Sequence, residues 1–187
     1  MKVDRSVSPS ERILAAADRL FYSQGIRAVG VDTVAEEAGV SKRTLYHHYP
    51  SKDALIAAYL TARFRQVAPS DAPAREQILG YFERIEKMVA DGSFRGCPYV
   101  NAVTEIGDRK HAATSIAVQF KEQRRQWYRA LLERIGVKDP DSLATQLQLL
   151  AEGAIATALV RGEPRAARAA RDAAEVLIDA SMKRRKR

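Results

Sequence analysis

Apolar residues along this chain return at steps of three and four, and nowhere does a convincing run of alternating β-branched residues replace that spacing. Ile13, Ala17, Leu20 and Phe21 make the first stripe, with Ser8 and Pro9 before it and Gly25 after it. That is the order of an N-cap, a proline at the first helical position and a glycine past the end. A second, short helix is expected from about Val31 to Ala38, with Gly30 as a weaker N-cap and Gly39 as its stop. Ser41 caps a third helix, Lys42 to about His48, which Pro50 ends; Ser51 caps a fourth reaching towards Val67. Beyond the turn-forming segment APSDAPAR, the spacing predicts helices over 73–91, 98–107, 112–135, 141–161 and 165–183. Gly92, the GCP at 96–98, Gly107, the GVKDP ending at Pro140 and the RGEP at 161–164 separate them. The expected fold is therefore all-α with about nine helices, divided near APSDAPAR into a domain over 1–67 and a second over 68–187.

Composition adds limits. With 46% hydrophobic and 29% charged residues, 187 residues suit a soluble globular protein with ample material for a core. No run approaches the roughly 18 apolar residues of a membrane span, so no membrane partner is expected. The opening MKVDRSVSPSER lacks the apolar segment of a signal peptide, which points to the cytoplasm. A single cysteine, Cys97, excludes an internal disulfide framework. The formal charge of +8 makes polyanions plausible partners, although the tail KRRKR supplies much of it and reads as a solvated end with, at most, weak nucleic-acid contact.

The stretch GVSKRTLYHHYPSK at 39–52 is denser in chemistry than its surroundings. Two short helices joined by Gly39-Val40-Ser41 have the geometry of a helix-turn-helix, with Val34, Ala35, Ala38, Val40 and Leu45 as its buried wedge. Lys42, Arg43, Thr44, Tyr46, His47 and His48 are left facing outward. In such a module the second helix lies in the major groove of double-stranded DNA. Arg43 suits guanine, Thr44 a thymine methyl or phosphate oxygen, and Tyr46 and His47 are long enough to donate to phosphate. Lys52 falls in the first turn of the fourth helix, where the helix dipole also favours an anion. Arg43, Thr44 and His47 are thus assigned to reading bases and Tyr46 and Lys52 to holding the backbone, with Lys42 a further expected DNA contact. Adjacent histidines point about 100° apart on a helix and do not share a metal ion.

Residues 11–56 resemble the DNA-binding domain of the TetR family of transcriptional regulators. The likeness runs through ERILAAA, GIRAVGVDTVA, AGVSKRTLYHHYPSK and the DALI that opens the fourth helix. It departs at Gly30, where a hydroxyl residue often caps the second helix, and at Arg43, where glycine is common. The resemblance implies a three-helix DNA-binding domain followed by a helical ligand-binding and dimerisation domain. It further implies a regulator, usually a repressor, that binds an inverted-repeat operator as a homodimer and is released by a small-molecule effector. The family pairs the last two helices of each subunit in a four-helix interface. Leu147, Leu150, Ala154, Ala169, Ala173 and Val176, drawn from the alanine-rich stripes of those helices, are the expected interface positions.

For the effector, Cys97, Asn101 and Glu105 stand at i, i+4 and i+8, and Phe120 and Trp127 stand seven apart on the next long helix with Ile116. This segment also resembles a subgroup of the family with GC, an aliphatic run, Asn and later Glu. Cys97 beside Arg95 additionally offers a thiol that could answer oxidants or electrophiles. A Cys97–His111 nucleophile pair lacks an orienting third group, and neither a Gly-rich phosphate loop nor metal-ligand spacing occurs, so neither enzyme activity nor a cofactor is expected. The remaining alternative is a ligand-independent, architectural DNA binder.

Overall fold

The computed structural model describes residues 7–64 and 70–183, the side chain of Lys183 excepted. The expected boundary at 67/68 and the basic tail lie outside these residues. Within them the chain forms nine helices and no strand: α1 (Pro9–Gln24), α2 (Val31–Glu37), α3 (Lys42–His48), α4 (Lys52–Ala62), α5 (Ala74–Ala90), α6 (Pro98–Ile106), α7 (Ala112–Arg134), α8 (Pro140–Arg161) and α9 (Arg165–Lys183).

Local chemistry sets most of these ends. Ser8 accepts from the Glu11 amide at 3.3 Å while the Glu11 carboxylate accepts from the Ser8 amide at 3.0 Å, a reciprocal cap with Pro9 at the first helical position. The Ser8 hydroxyl also donates to that carboxylate at 2.7 Å, and this bond, with the one from the Ser8 amide, holds the Glu11 carboxyl below its ordinary pKa. Ser41 and Ser51 cap α3 and α4 more simply, each accepting one amide at 3.0 Å. The fourth helix stops at Ala62, short of the expected Val67, and a tertiary clamp lies just beyond it. Arg63 donates through Nε and Nη2 to the two oxygens of Asp18 on α1, and its guanidinium lies 4.3 Å from the ring centre of Tyr22.

The chain divides into two compact units, residues 1–66 with 98–119, and residues 67–97 with 120–187. The first therefore contains α6 and the first turns of α7 as well as α1–α4, which no sequence pattern anticipated. Its core takes Ile13, Ala16, Ala17 and Phe21 from α1, Val34 and Ala35 from α2, Leu45 from α3, and Leu55, Ile56, Tyr59 and Leu60 from α4. Three polar contacts tie in the later helices. The Tyr99 hydroxyl donates to the Leu60 carbonyl at 3.3 Å. His111 Nδ1 accepts from the Ala113 amide at 3.1 Å, which leaves the proton on Nε2, 3.4 Å from Asp53 of α4. Glu105 of α6 accepts from the Arg27 amide in the α1–α2 turn at 3.0 Å.

In the second unit α5, α8, α9 and the rest of α7 share one core built on Ile78, Phe82 and Ile85, Tyr128 and Leu132, Leu147, Ala151 and Ala154, and Ala170, Ala174 and Ile178. Ion pairs from Arg75 to Glu175 and Asp179, from Arg168 to Glu86 and from Arg171 to Glu83 run along the α5–α9 seam. Half-exposed pairs contribute little energy but favour one register over its neighbours. By length and composition α8 is apolar enough to cross a membrane, a property that no unbroken apolar run in the sequence reveals. In this fold its Leu143, Leu147, Ala151, Ala154 and Ala158 are core.

Gly25 has φ 94°, and a Cβ there would come within 3.0 Å of the Glu105 carboxylate. Gly25→Ala is expected to cost about 1–3 kcal/mol, from the left-handed backbone together with displacement of Glu105 from Arg27. Urea denaturation measures this; an unchanged midpoint would contradict the assignment.

Candidate nucleic-acid interface

The interface starts with the turn between α2 and α3. Gly39 takes φ 62°, its amide bonds to the Glu36 carbonyl at 3.0 Å, and the Val40 amide bonds to the Ala35 carbonyl at 3.0 Å. This left-handed closure turns the chain so that α3 packs on α1 and α2. Val34, Ala35, Ala38 and Leu45 are buried in the angle, and Val40 is half-buried at its edge.

What remains outward on α3 is Lys42, Arg43, Tyr46, His47 and His48. Their situations differ. Lys42 Nζ lies 2.8 Å from Asp32 of α2, and that hydrogen bond holds its pKa above the usual value. A phosphate reaching Lys42 has to compete with Asp32. Arg43 makes no hydrogen bond or ion pair with another described residue, so its donors are available. The hydroxyl of half-buried Thr44 lies 2.8 Å from Ser41 Oγ, which ties it to the helix cap. The His47 and His48 rings meet edge to face at 5.3 Å. Lys52 is half-buried in the first turn of α4, just past the Ser51 cap. Gly30 begins α2 without a side-chain cap.

Tyr49, the residue after α3, faces inward. It is half-buried, its hydroxyl 3.0 Å from Ser10 Oγ, and so fastens the end of α3 to the start of α1.

The expected effector residues fall in different units. Asn101 and Glu105 belong to the first, Glu105 being hydrogen-bonded to the Arg27 amide. Cys97, Phe120 and Trp127 belong to the second. Cys97 is buried, and its sulfur accepts from Lys121 Nζ at 3.4 Å; the same ammonium pairs with Glu152 of α8. Trp127 packs against Tyr81 and Tyr128, with ring centres 5.9 and 5.0 Å apart. Burial pushes the phenols of Tyr81 and Tyr128 up. Arg124, between Phe120 and Trp127 on the same face of α7, was missed; a lone cation inside an aromatic stripe was the available signal.

The expected dimer positions also divide. Leu147 and Ala154 are buried within the subunit and Leu150 packs half-buried against the same core, so these three serve α8 internally. Ala169 and Val176 are exposed and Ala173 is half-buried. The outward apolar face of α8 is instead Leu149, Gly153, Ala156 and Val160, and that of α9 is Ala169, Ala173, Val176 and Ala180. Both run at i, i+4, i+7 and i+11, with Leu149 66%, Val160 86% and Val176 67% exposed.

An all-α chain that presents a capped, cation-bearing second helix from a helix-turn-helix is a DNA-binding protein of the helix-turn-helix class. More narrowly, the chain belongs to the TetR family of transcriptional regulators. The family model for bacterial regulatory proteins of the tetR family matches residues 13–59. A TetR-type transcriptional regulator from Streptomyces avermitilis, known from its crystal structure, is 36% identical, spans 90% of this chain and 99% of its own, and superposes with a TM-score of 0.76. The transcriptional regulator YjdC of Escherichia coli is 27% identical over 80% of this chain and 83% of its own length. The transcriptional repressor KstR2 of Mycolicibacterium smegmatis is 25% identical over 74% and 71%.

Tyr49→Phe is expected to lower stability by about 0.5–1.5 kcal/mol through loss of its bond to Ser10, whereas Tyr46→Phe leaves stability unchanged. Thermal denaturation of both variants decides this; equal melting temperatures would contradict the division of labour between the two tyrosines.

Proposed function

We propose that the protein is a repressor that binds an inverted-repeat operator as a homodimer and lets go when a small molecule enters its second unit. The observation that carries this reading is the outward face of α3, where Arg43, Tyr46 and His47 project from a helix fastened on its other side. Arg43 and His47 read base edges, Tyr46 and Lys52 hold phosphates, and Thr44 supports the cap and reaches the groove only through its methyl. Lys42 contributes charge in competition with Asp32. Repression is the role named for KstR2, and a DNA operator implies work in the cytoplasm.

The homodimer is supported by the two outward stripes. α8 is apolar on nearly every side, which suits a helix covered by its own subunit on one face and by a second copy on the other. Gly153 lies in open space and permits close approach. Effector binding then needs a coupling of only about 1–3 kcal/mol to shift the operator equilibrium. The proposed route runs through α6 and α4, altering the spacing of the two recognition helices. A second reading keeps this scheme and places the signal at Cys97, on the strength of its contact with Lys121. Alkylating Cys97 without change in operator affinity would remove it.

Selection of binding sites from random duplex DNA tests the proposal. The expected product is an inverted repeat with half-sites about one helical turn apart. Arg43→Ala should weaken it by about 1–3 kcal/mol and relax one base pair per half-site. Lys52→Ala should weaken all sequences alike and lower the salt slope by about one. Salt-sensitive binding with no enriched sequence would leave the architectural role instead.

The dimer has its own expectation. Val160→Glu combined with Val176→Glu should give a monomer by sedimentation and reduce operator affinity by more than about tenfold, since each half-site is then bound alone. A wild-type chain that sediments as a monomer with full operator affinity would contradict it.

A further inference from the structure

On α7, Arg124 lies one turn beyond Phe120 and one turn before Trp127 and Tyr128. Its guanidinium sits 4.3 Å from the ring centre of Tyr81, 5.6 Å from that of Trp127 and 5.7 Å from that of Phe120. Its Nε and Nη1 are sealed from solvent, and neither has an acceptor. One turn further along α7 the side chain of Tyr128 is fully buried, its hydroxyl also lacks a partner, and the charge of Arg124 acts on it. The acid whose field reaches Tyr81 and Tyr128 is Glu152, and Glu152 is paired with Lys121. Arg84 approaches the same Tyr81 ring at 5.4 Å, but it is exposed, so its charge is met by solvent and not by the cluster.

Protein interiors rarely leave polar groups of this kind unpartnered, least of all two donors of one cation beside a phenol. Aromatic faces recover part of the lost hydration of a guanidinium but accept none of its hydrogen bonds in the ring plane. The partner that completes the cluster must accept hydrogen bonds. It must also bring negative charge, because Lys121 and Glu152 cancel and Arg124 stands alone. Its body must be flat and apolar, because Tyr81, Phe120 and Trp127 form the walls. One unbalanced cation matches a monoanion better than a phosphate. A partner protein cannot reach atoms sealed in this way, whereas a small molecule can enter when the aromatic side chains part.

We infer that the second unit binds a small organic carboxylate with a planar apolar body, the carboxylate on Arg124 and the Tyr128 hydroxyl and the body against Tyr81, Phe120 and Trp127. This rests on the reading of the second unit as the effector-binding part, and it specifies the chemical class of the effector.

Trp127 is the chain's single tryptophan, so its emission reports on the site directly. Benzoate, 3-phenylpropanoate and 2-naphthoate are titrated into the DNA-free protein, each against its own neutral amide, by calorimetry and, for the first two, by Trp127 emission. At least one acid is expected to bind about tenfold or more tightly than its amide. Arg124→Met should abolish that preference and raise the melting temperature, because it removes an unpaired buried charge. Tyr128→Phe should weaken the acid several-fold and leave the amide unchanged. No acid preferred over its amide, a preference that survives Arg124→Met, or a melting temperature lowered by Arg124→Met would each overturn the inference. Because these titrations contain no DNA, Arg124-dependent acid binding that leaves the operator complex intact would uphold the site and refute the effector role.

Discussion

A helix of seven residues does not hold itself, and α3 has seven. Nucleating so short a helix costs more than its few hydrogen bonds return, so α3 exists only because its neighbours impose it. Three attachments do so. Leu45 is wholly buried against α1 and α2, Ser41 satisfies the Thr44 amide in the first turn, and Tyr49, just past the last residue, is fastened to Ser10. Every outward residue of α3 inherits its direction from these inward ones. A rigid helix can present Arg43 to a base edge in a fixed register, whereas a frayed one offers only diffuse positive charge.

The scaffold under α3 extends beyond the motif. Arg63 clamps α4 to α1 through Asp18, and α6 and α7 grip the same unit through Tyr99, Glu105 and His111. The Glu105 contact is the most constrained of these, since Gly25 has no side chain and its backbone is left-handed where the carboxylate approaches. A regulator needs its reading head to be firm yet displaceable. Hydrogen bonds at helix ends meet both demands, because each holds one geometry and is lost over a shift of an ångström or so.

The range of each interaction determines how much of this was legible in the sequence. Serine caps, Pro9 and the glycine after α1 act within four residues, so the starts of α1, α3 and α4 and the turn at Gly39 could be read directly. The end of α4 could not, because Arg63, the residue after Ala62, is fixed by Asp18 and Tyr22, some forty residues earlier in the chain. The grouping of α6 with the first unit depends on contacts of the same kind. Periodicity also failed on α8, where both faces are apolar: Leu147 is wholly buried and Leu149, two residues on, is 66% exposed. On α7 the aromatic stripe was visible, yet Arg124 within it was not singled out. Only its surroundings show that it lies among the rings.

The central claim is that α3 is the element that meets DNA. Amide hydrogen exchange of the protein with and without a bound operator duplex tests this most directly. Slowed exchange concentrated in residues 41–52, with α5, α8 and α9 little changed, is the predicted result. Protection confined to the second unit, with α3 exchanging as it does in the free protein, would contradict it.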